Sequence, residues 1–115
     1  MFSHIRTSKE NKEVVTELTR KLNLGAENVV ARLAIAHSLK EGKKFDLKNI
    51  ADSSGKEYSR KVLLGEYENI YLGMICNLYG IYKNDKDLGR LVKLHLDEGL
   101  DKISAFRNYD EIMIQ

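Results

Sequence analysis

A mainly α, compact single-domain helical bundle, with a short N-terminal extended arm or strand and a loop-rich middle segment, is predicted for this chain by three observations. Its 115 residues fall within the usual size of one domain, so a single unit over residues 1–115 is expected. Proline is absent while Leu, Lys, Glu and Ala are plentiful, which leaves eight glycines as the main interruptions to helix. Apolar residues recur at three- and four-residue intervals over most of the length. At 43% hydrophobic and 31% charged residues, the chain has enough apolar material for a core and too much Leu, Ile and Val to be disordered.

The opening residues Phe2 to Thr7 alternate in character loosely, which suits a short strand or extended arm. Thr7-Ser8-Lys9-Glu10 has capping-box spacing, with the Thr7 hydroxyl and the Glu10 carboxylate meeting unpaired backbone N–H groups, so a helix is predicted from Ser8. Val14, Val15, Leu18 and Leu22 give it an apolar face, and Gly25 is expected to supply the left-handed residue that ends it. From Ala26 to about Lys40 the apolar residues cover more than one face, which predicts a largely buried helix stopped at Gly42. The stretch between Gly42 and Gly65 reads as loop-rich, with a helical turn at Leu47 to Ala51, an exposed loop at Asp52 to Lys56, and a return to the core at Val62-Leu63-Leu64. Glu66 to Tyr79 carries Tyr67, Ile70, Tyr71, Met74 and Leu78 on one stripe, more apolar surface than a small domain hides alone, and part of it is expected to face another subunit. Asn84 or Asp85 is positioned to cap a last long helix bearing Leu88, Leu91, Val92, His95 and Leu96 on one face, with Gly99 expected to break it before a tail to Gln115.

One cysteine, Cys76, cannot form an internal disulfide, and no basic-then-apolar leader opens the sequence, so a cytoplasmic location is expected. The uncharged stretch Ile70 to Tyr82 has thirteen residues, too few to span a bilayer as a helix, so no membrane partner is expected. The net charge of +2 conceals an asymmetry. Residues 1–65 hold 13 Lys and Arg against 8 Asp and Glu, a surplus of 5, whereas residues 66–115 hold 6 against 9, a deficit of 3. A basic half of this kind attracts polyanions even when the total charge is small.

On the first helix, a 100° projection sets Lys9, Thr16 and Arg20 opposite the apolar face, with Lys12 at the border. Rows of cations suit the regularly spaced phosphates of DNA, since each contact releases condensed counterions. An ordinary solvated face is the competing explanation, because Lys9 with Glu13 and Glu17 with Lys21 are helix neighbours of opposite charge. Further basic groups are Lys40, Lys43, Lys44 and Lys48 around Gly42, and Lys56, Arg60 and Lys61 around Tyr58, both in loop-like context. Lys40 is discounted because a lysine there complements a helix C-terminus. No ordered Arg/Asn pattern suggests reading of base edges, so contact with the phosphate backbone is expected.

No catalytic centre is expected. Cys76 lies in an apolar helical context without nearby cations in sequence to activate its thiol, which favours a buried inert cysteine. His4, His37 and His95 are scattered singly, without zinc-ligand spacing, and no metal or cofactor is expected. The carboxylates Asp85, Asp87, Asp97, Glu98 and Asp101 sit near expected helix ends, where solvated or capping roles are common, and the isolated glycines form no phosphate loop.

The segments Ile5-Arg6-Thr7-Ser8-Lys9-Glu10-Asn11-Lys12, Leu24-Gly25-Ala26-Glu27-Asn28-Val29-Val30-Ala31-Arg32, Gly55-Lys56-Glu57-Tyr58 and Tyr79-Gly80-Ile81-Tyr82-Lys83, in that order, resemble the DndE family of DNA sulfur modification proteins. The resemblance covers nearly the whole chain. It implies a component of a bacterial DNA phosphorothioation system, in which sulfur replaces a non-bridging phosphate oxygen. It further implies a small, helical homotetramer that binds DNA, with a preference for nicked duplex, through surface lysines. Sulfur mobilisation and ATP hydrolysis would then belong to other phosphorothioation subunits. The residues expected to meet DNA are Arg6, Lys9, Lys12, Arg20, Lys43, Lys44, Lys56 and Lys61.

Two other readings compete. An N-terminal strand before two helices is similar to a ribbon-helix-helix regulator, in which strands paired between subunits enter the major groove and His4 and Arg6 would read bases. The other is a small hydrolase or sulfur carrier acting through Cys76 or the acidic C-terminal half.

Overall fold

The computed structural model describes residues 1–106, and the expected tail to Gln115 lies largely outside them. In chain order the elements are β1 (His4–Arg6), α1 (Lys9–Leu22), α2 (Glu27–Lys40), a 3₁₀ turn (Leu47–Asn49), β2 (Glu57–Ser59), α3 (Arg60–Leu64), a 3₁₀ turn (Gly65–Tyr67), α4 (Glu68–Tyr79) and α5 (Leu88–Ile103). The protein is therefore mainly α, as predicted.

α1 buries Asn11, Val15, Leu18 and Leu22, the face that the apolar spacing indicates. Its cap is one residue later than expected. Ser8, not Thr7, takes the extended N-cap conformation and accepts the Asn11 N–H. Thr7 is committed elsewhere: its buried hydroxyl donates to the Ser8 carbonyl and accepts the Lys56 N–H. At the other end, Asn23 takes the left-handed conformation at φ 54°, so the stop comes two residues before Gly25. α2 begins behind Ala26, ends at Lys40 and is buried at Val30, Ala31, Ala34, Ile35 and Leu39, as its apolar content predicts.

β1 is a strand, and its partner is β2 of the same chain. The pair is antiparallel, with His4 opposite Ser59, Ile5 opposite Tyr58 and Arg6 opposite Glu57. Ile5 and Tyr58 turn inward and are buried, while His4 and Arg6 remain exposed. The expected loop around Lys56 is thus a pinned edge: the Thr7 N–H donates to the Lys56 carbonyl and the Gly55 N–H to the Thr7 carbonyl. Of the Val62-Leu63-Leu64 segment, both leucines join the core but Val62 is 55% exposed.

α5 runs through the core, packs chiefly on α2, and continues past Gly99 to Ile103, so the expected break does not occur. Gly99 instead permits close approach of the two helices: a β-carbon there would lie 1.9 Å from the Ala34 carbonyl oxygen. His95 is fully buried on α5, with Nδ1 2.7 Å from Ser38 Oγ and Nε2 2.7 Å from the Tyr79 hydroxyl. The Phe45 N–H donates to that same Tyr79 oxygen, so α2, α4, α5 and the loop after α2 meet at one imidazole. On α4, Cys76 is half-buried against the core, and Tyr67, Ile70 and Met74 are exposed beside it or just before it.

Candidate nucleic-acid interface

The start of α1 is held by a buried polar cluster that the sequence reading did not anticipate. Lys93, 5% exposed on α5, donates from Nζ to the carbonyls of Arg6 and Asp52 and to Asp97 Oδ2, each at 2.8 Å. Asp97 Oδ1 accepts the Ser8 N–H at 3.0 Å and the Asn11 side-chain amide at 2.9 Å. Asp52 Oδ2 accepts the Lys9 N–H at 2.9 Å and the Ser54 N–H at 3.1 Å, and these bonds hold its carboxyl below the usual carboxylate range. The orphan donors of the first turn are therefore met by carboxylates from α5 and from the loop before β2. Asp97, expected to be solvated or capping its own helix, is instead a buried mid-helix group that secures another helix.

Lys9 and Lys12 project from this fixed turn into solvent. Among the described residues neither forms an ion pair, and the same holds for Lys43, Lys44 and Lys61. Lys56 lies beside the same face of α1: its ammonium is 3.6 Å from Glu27 Oε1, and the Thr16 hydroxyl donates to Glu27 Oε2. Arg6 pairs across the strands with Glu57 at 2.9 Å, and Arg20 pairs with Glu17 at 2.8 Å, all four side chains more than 40% exposed. Such exposed pairs contribute about 0–1 kcal/mol, so a phosphate can take the place of the carboxylate at small cost.

Arg6, Lys9, Lys12, Arg20 and Lys56 are thus carried by β1, α1 and the edge leading into β2. Lys43 and Lys44 sit apart, beyond the C-terminal end of α2, with the Lys43 ammonium 5.8 Å from the Phe45 ring centre. Lys61 is exposed on α3. No described contact joins these three to the α1 group. The other basic residues of those stretches are engaged: Lys48 with Asp46, and Arg60 with Glu68, the Phe2 carbonyl and the Phe2 ring.

What the sequence reading missed is Lys93 with Asp97. Their four-residue spacing among the apolar residues Val92, Leu94 and Leu96 was the available signal, since two buried opposite charges are tolerated only when paired. The base-reading role of His4 and Arg6 loses its basis, because β1 is already paired within its own chain. Among the described residues, no cluster of His, Cys, Asp and Glu is arranged to hold a metal ion, and no helix is long and apolar enough to cross a membrane.

A family model described as DNA sulphur modification protein DndE matches residues 4–111. Two solved structures are similar in fold. The crystal structure of DndE from Escherichia coli B7A, described as involved in DNA phosphorothioation modification, is 17% identical, with a TM-score of 0.72, over 90% of this chain and 98% of that one. The crystal structure of a DndE G21/24K mutant involved in DNA phosphorothioation is 18% identical, with a TM-score of 0.74, over the same shares of the two chains. No curated protein sequence matches.

Proposed function

The chain belongs to the DndE family, a component of the DNA phosphorothioation system, and on that premise we propose that it is a non-catalytic DNA-binding accessory subunit that grips the phosphate backbone. The observation that carries this reading is the pair Lys9 and Lys12, without an ion pair among the described residues and held on a first turn secured by the buried Asp97 and the exposed Asp52. Pre-organised cations lose little freedom on meeting phosphate, and each contact releases counterions. Arg6, Arg20 and Lys56 extend the surface once phosphate displaces their exposed carboxylate partners, and Lys43, Lys44 and Lys61 form outlying contacts. A homotetramer would repeat this surface four times and link weak contacts into tight binding. Nicked duplex is the proposed DNA form, and other phosphorothioation subunits, acting in the cytoplasm, are the proposed protein partners.

The test is a titration against intact and nicked duplex at two salt concentrations. Lys9→Ala with Lys12→Ala should weaken binding and reduce the log–log salt slope by about 2, one unit for each lost phosphate contact. Glu27→Gln, which releases Lys56, should strengthen binding and steepen the slope. Slopes that stay at the wild-type value in both variants reject the surface.

A further inference from the structure

A second cationic feature adjoins the α1 surface and shares Arg6 with it. Between β1 and the start of α5 is a cleft of about 550 Å³ whose charged lining includes Arg6, Lys86 and Arg90, with Met1 and Phe2 on its apolar side. We propose that this cleft binds a phosphate-bearing nucleotide of an unpaired DNA strand, with the phosphate on Arg6, Lys86 and Arg90 and the base against Met1 and Phe2. The proposal rests on the DNA-binding reading and assigns it a second, chemically distinct subsite.

Three segments deliver the cations: Arg6 from β1, Lys86 from the turn after α4, and Arg90 from the first turn of α5. Glu57 and Asp87 each orient one of the arginines, whereas Asp85 accepts a backbone N–H, and the lining sets the cationic Arg6, Lys86, Arg90 and Lys93 against the carboxylates Glu57 and Asp85. Glu57 accepts from Arg6 Nε at 2.9 Å, Asp87 accepts from Arg90 Nη1 at 3.1 Å, and Asp85 accepts the Asp87 N–H at 2.8 Å. A guanidinium has five N–H donors in a planar fork, so each arginine oriented by one carboxylate contact keeps donors for a second anion. Lys86 is exposed and forms no ion pair among the described residues. Lys93 also lines the cleft, but its three bonds to Arg6, Asp52 and Asp97 exhaust its donors, so it forms part of the wall and is not a ligand.

Shape distinguishes this site from the α1 surface. Its volume falls in the range of about 300–1,000 Å³ occupied by small-molecule sites, which suits one nucleotide. A base stacked inside a duplex cannot enter a concave pocket without leaving the stack, and an unpaired strand avoids most of that cost. The apolar side argues for a base beside the phosphate, because Met1 is 67% exposed next to the part of Phe2 that Arg60 and the core leave open, and an inorganic anion would cover neither.

The experiment compares wild type with Lys86→Ala/Arg90→Ala on three probes: a short 5′-phosphorylated single strand, a duplex with a single-stranded overhang, and a blunt duplex. The double variant should bind the first two about tenfold more weakly or worse, from loss of two charge-assisted contacts, and blunt duplex within about twofold of wild type. Undiminished single-strand binding overturns the proposal. So does an equal loss on all three probes, which would make Lys86 and Arg90 part of a general backbone surface. Failure of wild type to bind either intact or nicked duplex defeats the α1 reading, while the cleft is still decided by the single-strand titration. Amide shift mapping with thymidine 5′-monophosphate and with inorganic phosphate adds a second readout. Larger shifts around Phe2 and Arg90 with the nucleotide support the site, and identical responses to both reduce it to an anion site and overturn the nucleotide assignment.

Discussion

Gly99 and Gly73 are both helical glycines, yet their surroundings give opposite consequences for a methyl group. At Gly99 a β-carbon would meet the Ala34 backbone at 1.9 Å, whereas at Gly73 on α4 nothing stands within 4 Å. Gly99→Ala should force α2 and α5 apart and destabilise the protein by about 3 kcal/mol or more. Gly73→Ala should stabilise it by about 0.5–1 kcal/mol through lower backbone entropy in the unfolded chain. Chemical denaturation of both variants checks the contrast, and equal effects would contradict it. His95 sets a pH dependence. Burial pushes its imidazole below 6.5, with Glu98 opposing only in part. The unfolded chain therefore binds more protons, so the contribution is complete above pH 6.5 and declines as the pH falls below that value. Asp52 and Glu41, both held low by hydrogen bonds, weaken the fold in the same direction at lower pH. Asp101, raised by desolvation, acts oppositely, favouring the fold at low pH and losing that contribution as the pH rises. The urea midpoint should drop between about pH 7 and pH 5, and His95→Gln should flatten that part of the profile.

Among the elements, α1 illustrates what could be inferred from sequence and what could not. Its apolar face was legible because Val15, Leu18 and Leu22 keep helical spacing, but its cap was misplaced by one residue. Thr7 and Ser8 are both good capping residues, and the choice between them depends on Lys56, which occupies the Thr7 hydroxyl from 49 residues away. β2 was missed for the same reason: a three-residue strand carries almost no alternation, and it exists because β1 pairs with it. At Gly99 nothing local in the sequence distinguishes a helix stop from a close helix crossing, and the contact that decides it comes from Ala34 on α2. The Lys93–Asp97 pair gives this element its own test. Asp97→Ala should cost about 3–5 kcal/mol by leaving a buried ammonium unpaired and the Ser8 N–H without its acceptor. Lys93→Met combined with Asp97→Leu should cost less, and thermal unfolding of the set measures the difference.

For the molecule as a whole, the charge asymmetry was visible in the sequence, but its layout was not. The basic half divides into an α1 group, an outlying pair beyond α2 and Lys61 on α3, and carboxylates from distant positions, Glu57 on Arg6 and Glu27 on Lys56, engage two of the cations. The excess apolar stripe predicted for α4 does reach the surface: Tyr67, Ile70 and Met74 are 45%, 61% and 43% exposed around a groove that also holds Arg32 and Tyr71. If this face joins copies of the chain, Ile70→Asp with Met74→Asp should lower the mass seen by light scattering and weaken DNA binding through lost avidity. An unchanged mass would remove α4 from the interface.

The anchoring of α1 also has a bearing on biosynthesis. Asp97 lies 89 positions downstream of the Ser8 amide that it holds, so an emerging polypeptide displays its cationic first helix before the group that locks it has been translated. The nascent N-terminal half is basic but unlatched, and the Asp97 anchor of α1 closes only when the last described helix clears the ribosome.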